Sequence, residues 1–206
     1  MNKISILVAD DHKIVRMGLK SLFAAARDLS VVGEADDGVA AVRQAVRLRP
    51  DVVVMDLMMP EKDGVAATAE IRARLPDTRI VVLTSYSTSD TIAAALSAGA
   101  SGAVMKSADD ATLLTAVRAA AAGETFISPE VRGLLAVDPP APTLSPRQLE
   151  VLVMLVKGFS NTEIANMLGI SRTVAKEHVE NLLVKLDAAN RTEAAAIALR
   201  KHLVKV

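Results

Sequence analysis

Five residues whose side chains could do chemistry stand at or just past the ends of short β-branched runs. Asp10 and Asp11 follow ISILVA, Asp56 follows VVVM, Thr84 closes IVVLT and Lys106 follows GAVM. Carboxylates brought into one crevice repel each other unless a cation sits among them. Hard oxygen donors suit Mg2+, which keeps several waters and takes only one or two protein carboxylates. A hydroxyl from Thr84 and an ammonium from Lys106 on the same rim would complete a site for a phosphoryl group. Any one of these alone reads as an ordinary polar strand end; all five together, at the ends of the first, third, fourth and fifth runs, read as a site.

The elements that must position them are legible from patterning. The apolar runs begin at Ile4, Val31, Val52, Ile80 and Gly102. Each is followed by a stretch with helical spacing, such as Val15, Leu19, Leu22 and Phe23, or Val39, Val42 and Val46, or Leu113, Leu114 and Val117. Runs apolar at every position and alternating with helices imply a parallel sheet covered on both faces. The expected fold is an α/β doubly wound (βα)5 domain over residues 1–122. By analogy with other doubly wound sheets its strand order is 2-1-3-4-5, which makes the first and third strands neighbours at the switch point where ligands bind.

After Gly123 the pattern changes. Prolines at 129, 139, 140 and 142 mark residues 123–143 as a linker. From residue 144 to 206 no strand pattern is present, and three helix starts have capping-box spacing: Ser145–Gln148, Ser160–Glu163 and Asn190–Glu193. A fourth helix begins at Ser171, just past Gly169, so the segment reads as an all-α four-helix domain containing a helix-turn-helix. Residues 1–142 carry 15 basic and 18 acidic side chains, against 9 and 6 in residues 143–206. An acidic first domain and a basic second one suit different partners.

Composition removes several classes. There is no Cys, hence no disulfide framework, thiolate nucleophile or Cys-ligated metal. Only 2% of residues are aromatic, which disfavours a stacking platform for single-stranded nucleic acid. The longest uncharged apolar stretch, Thr91 to Met105, is shorter than the ~20 residues of a membrane span. A cytoplasmic protein without membrane attachment is expected.

The motifs VADDH, VVVMDLMMPEKDG, VLTSY and AGASGAVMK, followed by LSPRQLEVL, FSNTEIANMLGIS and NRTEAAAIAL, resemble two-component response regulators of the NarL/FixJ subfamily over nearly the whole chain. These join a receiver domain to a LuxR-type helix-turn-helix. The resemblance implies that Asp56 accepts phosphate from a sensor histidine kinase. It also implies that Asp11, Asp56 and the backbone carbonyl of Met58 bind Mg2+, with Asp10 joining through water, and that Thr84 and Lys106 hold the phosphoryl oxygens. No enzymatic activity beyond the protein's own phosphotransfer and dephosphorylation is implied. Family members usually carry a switch aromatic three residues before the lysine; here that residue is Ala103, and the only tyrosine, Tyr86, is not at the switch position.

Ser171 to Asp187 is the expected recognition helix. Ala175, Val179, Leu182, Leu183 and Leu186 share one face as core. Thr173, Lys176, Glu177, Glu180, Asn181 and Val184 lie opposite. In the major groove of double-stranded DNA, Lys176 could reach guanine or phosphate and Glu177 could accept from cytosine. Arg172, Lys185 and Arg191 are candidate phosphate contacts, which position rather than specify. A homodimer reading promoter half-sites is the leading expectation. The alternative is a receiver-controlled protein-binding module, motivated by Glu177 and Glu180 on the groove face. A phosphate hydrolase is disfavoured, because Met58 stands where a second carboxylate would act as acid or base. His178 and His202 have no partners at metal-ligand spacing, and His12, beside the acidic pair, begins the first helix and is given a structural or electrostatic role.

Overall fold

The structure, a computed structural model, describes residues 3–85, 88–201 and 203–204; Tyr86 and His202, singled out above, lie outside the described residues. The chain forms two compact units, residues 1–140 and 141–206.

The first unit alternates strand and helix as expected. Its elements are β1 (Ile4–Ala9), α1 (Lys13–Ala25), β2 (Leu29–Ala35), α2 (Gly38–Leu48), β3 (Val52–Asp56), α3 (Gly64–Arg74), β4 (Arg79–Thr84), α4 (Ser89–Ser97), β5 (Gly102–Met105) and α5 (Asp110–Ala121). The strands pair in parallel in the order β2-β1-β3-β4-β5, with a further strand at the β5 edge. Every residue of β3 is buried, as a central strand covered on both faces requires. Alternation sends Leu7, Val53, Met55 and Val82 to a cluster under α2, α3 and α4. It sends Ile6, Val8, Val54, Val81 and Leu83 to the opposite cluster, with Phe23 of α1 and Val117 of α5.

Helix α2 departs from the expected core. Val42 is buried as expected, but Val39 and Val46 are exposed, and Ala40, Ala41 and Ala45 are buried instead. Small side chains let α2 approach the sheet closely, so the branched residues fall to the rim.

Residues 123–143 also depart from the expected linker. Residues Phe126–Ile127 form β6, pairing in parallel with Gly102 and Ala103. Helix α6 (Pro129–Val137) follows, capped by Ser128, whose side chain accepts from the Val131 amide. Val131 is fully buried in the same cluster as Ile92 and Ala103. Pro129 therefore starts a helix, at a position where its missing N–H costs nothing, rather than interrupting one. Residues 138–145, which follow the appendage and run into the second unit, lack helix or strand.

The second unit holds α7 (Pro146–Val156), α8 (Asn161–Leu168), α9 (Arg172–Lys185) and α10 (Arg191–Arg200). Leu152, Ile164, Ala175, Leu182, Ala194 and Ala198 form its core. Gly169 ends α8 in the left-handed region at φ 65°, which sets the turn into α9. Ser145 and Ser160 make complete capping boxes. Asn190 does not: it caps the Glu193 amide, but the Glu193 carboxylate accepts from Ala189 instead of Asn190.

Candidate functional site

In a parallel sheet all strands end on one edge, and register decides which side chains meet there. Ala9 pairs with Met55, Asp56 with Leu83, and Thr84 with Met105. Asp10, Asp56, Thr84 and Lys106 thus emerge at neighbouring positions. Lys106 Nζ lies 2.7 Å from Asp10 Oδ2 and 2.7 Å from Asp56 Oδ2. Asp10, Asp56 and Thr84 are buried, whereas Asp11 is exposed.

The loops after β1 and β3 fix the carboxylates. Asp10 Oδ1 accepts the His12 amide at 2.8 Å. His12 is the N-cap residue of α1 but makes no side-chain cap; its Nδ1 lies 2.6 Å from Asp11 Oδ1. Asp56 Oδ1 accepts the Met58 amide at 3.3 Å. Gly64 is required by proximity: a Cβ there would stand 2.1 Å from the Asp56 carbonyl oxygen. Its amide donates to Leu57 O at 3.0 Å, closing the loop.

Electrostatics follow from this packing. Burial pushes the Asp56 carboxyl above its ordinary range, against the opposing hydrogen bond and charge of Lys106; the neighbouring Asp10 charge adds to the rise. Burial also pulls on the Lys106 ammonium, but its close approach to the Asp10 and Asp56 carboxylates outweighs that and raises it above the ordinary lysine value. One ammonium shared between two buried carboxylates leaves the crevice short of positive charge.

Asp10, Asp11, His12 and Asp56 each offer a ligand atom, all within 4.8 Å of one another. Asp10 Oδ2 is buried and makes no aligned hydrogen bond, although Lys106 Nζ is close. Carboxylate oxygens with unused capacity, in a crevice short of positive charge, fit a hard divalent cation. The sequence reading brought together Asp10, Asp11, Asp56, Thr84 and Lys106 but missed Gly64, whose signal was a lone glycine opening a helix. Met58 is two-thirds exposed, and its contact to Asp56 is through the amide. Ala103 is fully buried, paired with Ile127 of β6.

On α9, Ala175, Val179 and Leu182 are buried and Leu183 is half-buried, and Leu186, which caps the helix, is buried too. Arg172, Thr173, Lys176, Glu177, Glu180, Asn181 and Val184 are exposed. Lys176 Nζ lies 3.4 Å from Glu180 Oε1 one turn on. Two expected phosphate contacts are engaged within the unit: Lys185 donates to Gln148 Oε1 at 3.0 Å, and Arg191 donates to the Phe159 carbonyl. His178 is half-buried.

Residues 6–118 match the response regulator receiver domain, and residues 142–198 match the bacterial regulatory proteins of the luxR family. The chain belongs to the response regulators. Its organisation, a receiver domain joined to a LuxR-type helix-turn-helix domain, is that of a DNA-binding transcriptional regulator. It is 40% identical to the transcriptional regulatory protein LiaR of Bacillus subtilis, over 98% of this chain and 99% of that one. It is 36% identical to the response regulator protein VraR of Staphylococcus epidermidis, with 98% and 99% covered. Among solved structures, this response regulator resembles ChrA of a heme-sensing two-component system (TM-score 0.58, 36% identity, 99% and 100% covered). It also resembles the RcsB–DNA complex (TM-score 0.68, 29% identity, 97% and 99% covered). Among the described residues no helix is long and apolar enough to cross a membrane.

Proposed function

We propose that Asp56 is the phosphoacceptor of this response regulator and that its phosphorylation controls binding of the second domain to DNA. The observation that carries the reading is the shared ammonium: Lys106 Nζ stands 2.7 Å from both Asp10 and Asp56 at the sheet's C-terminal edge. Of the two carboxylates touching it, Asp56 ends the central strand and lies beside the exposed Met58.

A carboxylate oxygen of Asp56 attacks the phosphorus of a phosphohistidine on a sensor histidine kinase. The P–O bond forms as the P–N bond breaks, and the imidazole leaves with the electron pair. Lys106 is within reach of the phosphoryl oxygens gathered on that carboxylate, and the Thr84 hydroxyl is the second protein donor. Asp11, Asp56 and the Met58 carbonyl would hold Mg2+, with Asp10 joining through water, and the bound ion would supply positive charge to offset that of the transferring group. No other catalytic activity is assigned to the chain.

In the second domain α9 enters the major groove with Arg172, Thr173, Lys176, Glu177 and Glu180, and two chains read paired half-sites. A protein-binding role is the second reading, favoured by the pairing of Lys176 with Glu180. DNA selection from random sequence, with and without acetyl phosphate and Mg2+, tests the assignment. Enrichment of a two-fold site that depends on phosphodonor is expected; no enrichment in either arm would contradict DNA control and favour the protein-binding reading.

A further inference from the structure

We propose that Arg16 is the positioning residue of the acidic loop, setting the divalent-cation affinity of the site by pinning the backbone of Asp10 and Asp11. The assignment rests on the reading above, in which those two residues help hold the cation. One guanidinium nitrogen of Arg16, on α1, donates to the Asp10 carbonyl at 2.7 Å and the Asp11 carbonyl at 3.3 Å. Both carbonyls belong to the loop that follows β1, beyond the strand's last residue, Ala9. Pinning a peptide carbonyl restrains the backbone torsion of its residue and so narrows the rotamers open to its carboxylate.

The guanidinium is itself held. Its side chain is only 15% exposed, and Nε, buried and making no aligned hydrogen bond, faces Glu34 Oε2 at ion-pair distance, 3.5 Å. Glu34 is on β2, paired in register with Val8, two residues before Asp10. Lys20 binds Glu34 from the next turn of α1; that hydrogen bond holds the Glu34 carboxyl below its ordinary range, against the opposing effect of burial. Glu34 is thus a fixed counter-charge at neutral pH. A planar fork with donors in two directions can face carbonyls on one side and a carboxylate on the other; an ammonium cannot present that geometry.

Positioning and simple charge make opposite predictions. A guanidinium acting only as a nearby positive charge repels a cation, so its removal would tighten cation binding. A guanidinium acting through the loop preorganises the carboxylates, so its removal weakens binding, by about tenfold if it behaves like other groups that orient metal ligands.

The test is Mn2+ binding to the full chain, followed by electron paramagnetic resonance of the free ion, for wild type, Arg16→Gln, Arg16→Lys and Glu34→Gln. Circular dichroism checks the fold of each. The dissociation constant should rise about tenfold in Arg16→Gln, and less in Arg16→Lys and Glu34→Gln. The Mg2+ concentration for half-maximal labelling by acetyl phosphate should rise in parallel. Should Arg16→Gln fail to fold, Arg16→Lys decides, because it keeps the charge and removes the planar fork. Unchanged or tighter Mn2+ binding in the folded variants overturns the assignment. A wild type that binds no Mn2+ contradicts instead the reading of the site on which it rests, and the assignment falls with it.

Discussion

Ser89 Oγ donates to Asp138 Oδ2 at 2.7 Å, tying the first residue of α4 to the residue that ends α6. A carboxylate at a helix C-terminus is disfavoured by the helix dipole, but one at an N-terminus is favoured. Asp138 ends α6 and meets the start of α4, so the second contact compensates the first. Asp138→Ala should cost about 1 kcal/mol, the worth of one hydrogen bond. Hydrogen exchange should show earlier opening of α6 and of the first turn of α4; unchanged protection in both helices would refute the tie.

Ala103 is fully buried in one cluster with Ile92 of α4 and Val131 of α6. The space beside β5 that a switch aromatic would need is therefore occupied. Ala103→Tyr should overpack this region and destabilise the receiver by about 1–3 kcal/mol, instead of strengthening the response to phosphate. A lowered urea midpoint with no gain in phosphodonor-dependent DNA affinity is expected. An unchanged midpoint with a stronger response would mean that the appendage yields readily.

Asp56 carries a pH signature. Its carboxyl is raised above the ordinary 3.8, so the folded protein binds its proton more tightly than the unfolded chain does. Below that ordinary value Asp56 is neutral in both states and has no effect. As pH rises through the raised value, stability falls and then stays lower. Without divalent cation, Asp56→Asn should thus have a higher urea midpoint than wild type at pH 7, with the gap closing below about pH 4. Saturating Mg2+ should reverse the order, since a ligand at 100 times its Kd stabilises the wild type by about 2.7 kcal/mol.

Arg172 and Arg191 should separate by salt dependence. Arg172 is exposed at the start of α9, whereas Arg191 is bound to the Phe159 carbonyl. Arg172→Ala should lower the slope of log affinity against log salt by about one contact. Arg191→Ala should leave the slope alone and lower stability by about 1.5–3 kcal/mol, as for a hydrogen bond from a charged group. Equal slope losses in both would mean that Arg191 leaves Phe159 to contact phosphate.

The sheet and its carboxylate edge were legible in the sequence because burial on both faces demands continuous apolar runs, and such runs announce where they stop. The β6–α6 appendage was not: a two-residue strand has no period, and Pro129 reads as a break unless Val131 is known to be buried. Val39 and Val46 misled for a related reason, since periodicity weights branched residues over the alanines that let α2 approach the sheet. For Lys185 and Arg191, a charge pattern does not reveal an intramolecular partner such as Gln148 or a backbone carbonyl. Arg16 carried no signal, because its partners are the carbonyls of residues six and five positions earlier.

The measurement that tests the central claim most directly is chemical trapping of the phosphoprotein. After incubation with acetyl phosphate and Mg2+, borohydride reduces an aspartyl phosphate to homoserine, and peptide mass spectrometry locates it. Homoserine at position 56 alone, absent from Asp56→Asn, is the predicted result. Homoserine at position 10 or 11 in the wild type, or its persistence elsewhere in Asp56→Asn, would contradict the account.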